Sequence, residues 1–147
     1  MASVRKKWTL QWQPDGSVVL ALDTNALVRV LIDDPAAAAQ CQAARAAVAA
    51  AGEVHVCQIV QVEAVWVLTS AYGLGKADLL RVLETIAHHP AFHLQRPEIF
   101  LAALQHYREG HADFADCLIL AESAAAGCPL ATFDRKLGKL PGTQRID

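Results

Sequence analysis

The fold of this chain is decided by the stretch Val18-Val19-Leu20-Ala21-Leu22-Asp23-Thr24-Asn25. Five apolar residues in a row predict a buried strand of a parallel sheet, because both faces of such a strand are covered. Open α/β sheets place their chemistry outside the carboxyl ends of their strands. Asp23 directly follows the apolar run, so it is a candidate catalytic or metal-binding residue. Taken alone, its simplest role is to cap the helix that follows.

Strand-like and helix-like segments alternate along the rest of the chain. Further strands are predicted near residues 54–57, 92–95, 129–133 and 144–146, with helical periodicity between them. This alternation predicts an α/β fold with a central, mostly parallel sheet of about four or five strands flanked by helices. An alanine-rich helix is expected to begin at Pro35. The helix near residues 59–72 is expected to bury the face that carries Val62, Val65, Trp66 and Thr69.

The composition is that of a globular protein without a membrane anchor. Hydrophobic residues make up 54% of the chain and charged residues 19%, which is enough apolar surface for a core. No apolar run approaches the ~20 residues of a membrane-spanning helix, and no signal-peptide pattern is present. We therefore expect a cytoplasmic protein. The net charge of −2 argues against holding nucleic acid by bulk positive charge alone.

Residues 1–17 precede the α/β pattern and are interpreted as an N-terminal extension of uncertain structure. Trp8, Leu10 and Trp12 alternate with polar residues and lead into Pro14, which indicates a strand followed by a turn. A strand in the middle of a parallel sheet has no free edge, so this extension would have to pair elsewhere. We expect residues 18–147 to form a single domain.

Acidic residues follow several of the predicted strands. Asp23 and Asp134 come directly after strands, Asp116 lies in the first turn of a helix, and Glu63 lies near the start of another. All four belong to the carboxyl edge of the sheet, and Asp113 precedes Asp116 by three residues. Each has a simpler explanation as a helix cap, a turn residue or a surface charge. Together they would repel one another unless a cation were bound.

Oxygen ligands without Cys or His partners favour Mg²⁺ or Mn²⁺ over Zn²⁺. The four cysteines of the chain are widely separated and are expected to be free thiols. A carboxylate-bound Mg²⁺ polarises a phosphoryl oxygen and activates water, which is the chemistry of phosphodiester hydrolysis. Neither a Ser-His or Cys-His nucleophile arrangement nor a glycine-rich phosphate loop competes with this hypothesis.

The ordered motifs of this chain resemble those of the PIN-domain ribonucleases. They are Leu22-Asp23-Thr24-Asn25, then Glu63 on a helix, then Asp113-Phe114-Ala115-Asp116, then Thr132-Phe133-Asp134. Each motif alone is weak, whereas the ordered set is specific. Within the family, the chain looks most like the VapC toxins of bacterial toxin–antitoxin pairs. The similarity runs from about Val18 to the C-terminus.

The resemblance implies a PIN fold over residues 18–147 and a Mg²⁺-dependent endoribonuclease, with Mn²⁺ as a substitute metal. It also implies a VapB-type antitoxin partner and a homodimer. The implied catalytic and metal-binding residues are Asp23, Glu63, Asp116 and Asp134. Among these, Asp23 and Asp116 are expected to be direct ligands, and Glu63 and Asp134 to act partly through water.

The resemblance implies auxiliary roles for Asn25, Asp113 and Thr132. The Asn25 side chain is expected to orient Asp23, and the Thr132 hydroxyl to hydrogen-bond a neighbouring acid. Independently of the family, three basic residues follow Asp134 and are candidates for contact with the RNA backbone. They are Arg135, Lys136 and Lys139.

Three alternatives stay open at this point. The chain can be a non-toxin PIN nuclease in RNA processing, or a catalytically silent PIN-fold binding module. Phosphotransfer on a strand-end aspartate is disfavoured, because dehalogenase-like phosphatases carry Asp-x-Asp and the second aspartate position is Asn25 in this chain.

The chain also departs from the pattern of the PIN-domain family in two places. Family members often have Ser or Thr where this chain has Cys57-Gln58-Ile59-Val60, and they commonly begin almost at the first strand.

Overall fold

Five strands and six α-helices make up residues 19–147, the part of the chain that the computed structural model describes. The strands are β1 (Leu20–Ala21), β2 (Val54–Val56), β3 (Phe92–Leu94), β4 (Leu130–Thr132) and β5 (Thr143–Arg145). The helices are α1 (Thr24–Leu31), α2 (Ala38–Ala51), α3 (Gln58–Ser70), α4 (Lys76–His88), α5 (Pro97–Glu109) and α6 (Phe114–Ala125). The strand and turn expected in the N-terminal extension lie outside the described residues.

All strand pairings in the described chain are parallel, as the alternation of strands and helices predicts. A three-stranded sheet has the order β1-β2-β3, and a two-stranded sheet pairs β4 with β5. In the first sheet Val54 pairs with both Leu20 and Phe92, so β2 is its central strand and β1 lies at its edge. The predicted α/β architecture is confirmed, with its five strands divided between two sheets.

The described chain divides into two compact units. The first comprises the described residues up to Val67 together with the segment His88–Gln95. The second comprises Leu68–Ala87 and Arg96–Asp147. The core of the first unit includes side chains of α1 and of the central strand β2. Its least exposed side chains include Leu27, Val28, Val54 and Val56, each at most 1% exposed. Burial of this kind stabilises a fold by ~1.5–3 kcal/mol for each large aliphatic side chain.

The second unit is organised around aromatic residues of α5 and α6. The ring of Phe114, the first residue of α6, meets Phe100 edge-to-face at a centroid distance of 5.4 Å and Tyr107 at 5.9 Å. Phe100 and Phe114 are at most 1% exposed. Edge-to-face pairs add ~0.5–1.5 kcal/mol each to the energy of burial. These contacts fix the beginning of α6, which carries two of the candidate acids.

The expected buried face of α3 was wrong. The residues of this helix that are buried are Val60, Gln61, Ala64 and Leu68, whereas Trp66 is 69% exposed. Apolar side chains lie almost all round this helix, since Ile59, Val62 and Val65 alternate with the buried positions. Hydrophobic periodicity does not select one face when most faces are apolar.

Pro35 begins a 3₁₀ turn, Pro35–Ala37, rather than the alanine-rich helix itself. The side chain of Asp34 accepts a hydrogen bond from the amide of Ala36 at 2.9 Å and so caps this turn. Helix α2 follows the turn directly and ends at Ala51. It is capped by Gly52, whose φ of +79° is a conformation that glycine adopts without strain. No helix within residues 19–147 has the length and apolar character needed to cross a bilayer.

Candidate functional site

In the first unit, Asp23 lies where β1 ends and α1 begins. The amide of Leu22 still donates to the carbonyl of His55, at 3.0 Å, so the strand ladder extends to the residue before Asp23. The Asp23 Oδ1 atom then accepts a hydrogen bond from the amide of Ala26 at 2.8 Å. The helix-capping role is therefore present. This bond also fixes the carboxylate at the carboxyl edge of the sheet, where the helix dipole favours a negative charge.

Glu63 is held by the first residue of α1. The hydroxyl of Thr24 donates to Glu63 Oε1 at 3.2 Å and joins two segments that are 39 residues apart in sequence. Thr24 is therefore both the sequence neighbour of Asp23 and the hydrogen-bond donor to Glu63. Asn25 follows Thr24 as an exposed residue. The sequence interpretation overlooked Thr24, although a hydroxyl directly after a strand-end acid was a visible signal.

Three glutamines connect α3, the helix of Glu63, to the ends of β2 and β3. The backbone amide of Gln58 donates to the side-chain oxygen Oε1 of Gln95 at 2.8 Å. Gln61 is 2% exposed, and its Nε2 atom donates to the carbonyls of Val56 at 3.2 Å and Gln95 at 3.1 Å. This arrangement could not be predicted from the sequence, because glutamine in a helix is usually exposed.

In the second unit, three candidate acids line one cleft of about 270 Å³. Asp113 and Asp116 lie at the start of α6, and Asp134 lies in the turn that follows β4. The lining residues are His111, Ala112, Asp113, Asp116, Asp134, Arg135 and Lys136. The sequence placed these acids at one sheet edge, and the structure brings these three together.

Asp113 and Asp116 reach the cleft from the first turn of α6. Asp113 occupies the N-cap position, and its side chain makes no capping hydrogen bond to the helix. Asp116 lies three residues further along and is partly buried. Burial raises the pKa of the Asp116 carboxyl, and the charges of Asp113 and Asp134 raise it further. A cation in the cleft would oppose both effects, because it favours the ionised carboxylate.

The turn after β4 presents Asp134. Thr132 Oγ1 accepts a hydrogen bond from the amide of Asp134 at 3.0 Å, so the threonine hydroxyl contacts the backbone of the acid. Asp134 Oδ1 accepts a hydrogen bond at 2.7 Å from the amide of Leu137, the first residue of the 3₁₀ turn Leu137–Lys139. The basic residues 135 and 136 line the cleft, whereas the exposed Lys139 at the end of this turn is not among the lining residues.

A lysine that the sequence interpretation overlooked holds the loop before α6. Lys76 Nζ, at the start of α4, donates to the carbonyl of Gly110 and lies 4.9 Å from the centre of the Tyr107 ring. A Cβ atom on Gly110 would lie 3.1 Å from the side chain of Leu140, so this loop also packs closely against the segment that follows Asp134. These contacts fix the position of the chain just before the two acids of α6.

The donor chemistry of the cleft fits a hard divalent cation. Its acidic lining groups are carboxylates, which suit Mg²⁺ or Mn²⁺. Within the described residues, however, no group of three or more His, Cys, Asp and Glu side chains has the arrangement of a metal-binding set. The three acids are therefore neighbours in one cleft without forming a closed ligand cage.

The family comparison gives one result. The family model described as "PIN domain" matches residues 20–142, which span most of the chain and parts of both units. All of the candidate site residues lie inside this span. No curated protein and no solved structure matches the chain.

Proposed function

The chain belongs to the PIN-domain family, whose members are generally metal-dependent nucleases, and from this premise we propose that it is a Mg²⁺-dependent endoribonuclease. The observation that carries the proposal is the cleft lined by Asp113, Asp116 and Asp134 beside Arg135 and Lys136. Acidic side chains that can bind a divalent cation and basic side chains that can bind phosphate oxygens therefore line the same cleft.

We propose that Asp23, Glu63, Asp116 and Asp134 serve the reaction. Asp23 and Asp116 are assigned as direct ligands of the cation, and Glu63 and Asp134 as residues that act partly through water. In Asp23, Glu63 and Asp134, one carboxylate oxygen accepts a hydrogen bond from the protein. These bonds fix the orientation of the three groups, and the second oxygen of each lies outside these bonds. Asp113 is assigned an auxiliary role.

Bound at these acids, Mg²⁺ would polarise a phosphoryl oxygen and lower the pKa of an attacking water. The chain's own residues would supply the rest of the chemistry. One of the carboxylates orients the water, and Arg135 and Lys136 hold the phosphate backbone by charge-assisted hydrogen bonds. Lys139, on the exposed turn that follows, extends the same basic segment for contact with RNA.

The biological role we propose is that of a VapC-type toxin, held inactive by a VapB-type antitoxin and acting as a homodimer in the cytoplasm. The support is the ordered set of motifs described above, because the family match by itself extends only to the PIN domain. Residues 18–147 are proposed to be the single PIN domain of this toxin. Asn25 and Thr132 are assigned supporting roles at the ends of β1 and β4.

Growth measurements distinguish the toxin from a PIN nuclease of RNA processing. Expression of the toxin alone should arrest growth, and co-expression of the protein encoded by the neighbouring gene should relieve the arrest. An Asp116→Asn variant should allow normal growth at the same expression level. Normal growth on expression of the unaltered protein would contradict the toxin role while leaving ribonuclease activity open.

Calorimetry with Mn²⁺ distinguishes a metal-dependent nuclease from a catalytically silent binding module. The unaltered protein should bind Mn²⁺, and Asp116→Asn should weaken that binding by about 10-fold or more, since a direct ligand is lost. Asp78→Asn is a matched control in the same unit, because Asp78 is exposed and pairs with Arg81 on the surface of α4. Absence of Mn²⁺ binding together with absence of RNA cleavage would favour the silent module.

A further inference from the structure

Two histidines that are far apart in sequence are neighbours in the three-stranded sheet. His55 is the middle residue of β2 and His93 is the middle residue of β3, and the register of the parallel ladder pairs them directly. Adjacent strands lie about 4.8 Å apart, and paired residues carry their side chains on the same face of the sheet. The two imidazole rings therefore leave the backbone side by side.

The face of the sheet that carries the two rings is accessible to solvent. Val54 and Val56, on either side of His55, are 0% exposed, so the buried face of β2 is the opposite one. His55 is partly exposed, and the side chain of His93 is 53% exposed. On the other side of His55, β1 contributes Ala21, which is exposed and carries only a methyl group. A small ligand can therefore reach the histidine pair.

Glu53 provides a carboxylate beside the pair. Its Oε1 atom lies 3.5 Å from Nε2 of His93. A histidine that binds a metal through one ring nitrogen commonly donates the N–H of the other to a carboxylate, which orients the ring and makes it a stronger ligand. With Nε2 of His93 directed to Glu53, its Nδ1 atom is the nitrogen that can bind a metal.

We propose that His55 and His93 bind a transition-metal dication such as Zn²⁺ between β2 and β3, with Glu53 as the hydrogen-bond acceptor of His93. Imidazole nitrogen suits Zn²⁺, Ni²⁺ and Cu²⁺, whereas Mg²⁺ prefers oxygen ligands. This site is therefore chemically different from the acidic cleft. The inference does not depend on the proposed ribonuclease function.

The number of protein ligands follows from the arrangement of the side chains. No group of three or more His, Cys, Asp and Glu side chains in residues 19–147 has the arrangement of a metal-binding set. The carboxylate of Glu53 is accordingly assigned to His93 and not to the metal. Water completes the tetrahedral coordination that Zn²⁺ prefers. A metal bound by both histidines links two strands, so it should stabilise the first unit.

Calorimetry with Zn²⁺ tests the proposal, with excess Mg²⁺ present to occupy sites built from oxygen ligands. The unaltered protein should bind Zn²⁺ under these conditions. His55→Ala and His93→Ala should each weaken the binding by at least about 10-fold, because one of two protein ligands is lost. Glu53→Gln should weaken it by a smaller factor, since the amide is a weaker acceptor than the carboxylate. His106→Ala is the matched control, because His106 is a partly exposed histidine of α5 in the second unit, and it should bind like the unaltered protein.

Nuclear magnetic resonance of the ¹⁵N-labelled histidine rings is a second readout that needs no variant to fold for its main result. Zn²⁺ should shift the ring nitrogens of two histidines of the unaltered protein. One of these signals should be missing in His55→Ala and the other in His93→Ala, which identifies them. At a Zn²⁺ concentration ten times the dissociation constant, the melting temperature of the unaltered protein should rise by about 3 °C, and that of His93→Ala should not rise.

Three results would overturn the metal site. They are absence of Zn²⁺ binding by the unaltered protein in excess Mg²⁺, an unchanged Zn²⁺ affinity in His93→Ala, and Zn²⁺-induced shifts at histidines other than His55 and His93. Each would leave the ribonuclease proposal untouched, because that proposal rests on RNA cleavage with Mg²⁺. Failure of the protein to cleave RNA would likewise leave the histidine site untouched.

Discussion

Replacing Gln61 with leucine should destabilise the first unit, because Gln61 is a buried polar side chain at the junction of three elements. It lies on α3, is 2% exposed, and donates to carbonyls at the end of β2 and just after β3. Leucine has a similar volume and no donor. The substitution therefore removes two hydrogen bonds with little change in packing.

The magnitude follows from the environment of the two carbonyls. The hydrogen bond to Val56 is buried and the one to Gln95 is partly buried. Leaving a buried acceptor without a donor costs ~1–3 kcal/mol, so we assign about 2 kcal/mol to the first and about 1 kcal/mol to the second. Gln61 Oε1 has no hydrogen-bond partner within the described chain, so its removal returns about 1 kcal/mol. The net loss is about 2 kcal/mol of unfolding free energy.

Urea denaturation followed by far-ultraviolet circular dichroism measures this loss. With a slope of ~2 kcal/mol per molar for a protein of this size, the midpoint should fall by about 1 M at an unchanged slope. Gln144→Leu, at an exposed position of β5, is the control and should stay within ~0.5 kcal/mol of the unaltered protein. A midpoint for Gln61→Leu within about 0.2 M of the unaltered protein would refute the role assigned to these two hydrogen bonds.

Three further predictions concern the second unit. Replacing Arg135, Lys136 and Lys139 with glutamine should make RNA binding less sensitive to salt. The slope of the log of the RNA-binding constant against the log of the salt concentration should fall in magnitude by about 2, at ~0.7 per phosphate contact. An unchanged slope would exclude contacts between these residues and RNA phosphates. Lys76→Met should lower Mn²⁺ affinity by several-fold through movement of the loop at Gly110, and Lys76→Arg, which keeps the charge and the donor, should restore it; equal losses in both variants would contradict this role. In native protein at pH 8, a maleimide should modify the exposed Cys128 within minutes and leave Cys117 unmodified, because burial raises the pKa of the Cys117 thiol to about 11. Mass spectrometry after proteolysis identifies the modified cysteine. Rapid labelling of Cys117 would contradict this prediction and would show that α6 opens readily.

The positions of the strand-end acids were predictable because they depend on local sequence. An apolar run that ends on an acid, as at Leu22-Asp23 and Phe133-Asp134, places the carboxylate at the carboxyl end of a strand in whichever sheet the strand joins. The parallel pairing of β1, β2 and β3 was predictable for a similar reason, since helices between two strands return the chain to the same edge.

The division into two sheets was not predictable from the pattern. The strands are two or three residues long, and the sequence does not specify which short strands become hydrogen-bonded neighbours. The buried face of α3 was missed because Val60, Val62 and Val65 spread apolar surface around the helix. The face that is buried includes Gln61, whose burial is explained only by two carbonyls supplied by other elements.

The hydrogen bonds that position the acidic residues also could not be predicted from the sequence. The hydrogen bond between Thr24 and Glu63 joins residues that are 39 positions apart, and the Lys76–Gly110 contact joins residues that are 34 positions apart. Such pairs carry no periodic signal. Thr132 shows an intermediate case, because its polar role was expected and its partner proved to be the backbone amide of Asp134.

Cleavage kinetics with single-stranded RNA test the acidic cleft most directly. The unaltered protein should cleave in the presence of Mg²⁺ and stop when EDTA is added. Asp116→Asn should reduce the cleavage rate by at least about 100-fold, the usual consequence of removing charge stabilisation from a transition state. Asp78→Asn, outside the cleft, should cleave like the unaltered protein. Cleavage that persists in EDTA, or an Asp116→Asn variant as active as the unaltered protein, would contradict the assignment of this cleft as a metal-dependent ribonuclease site.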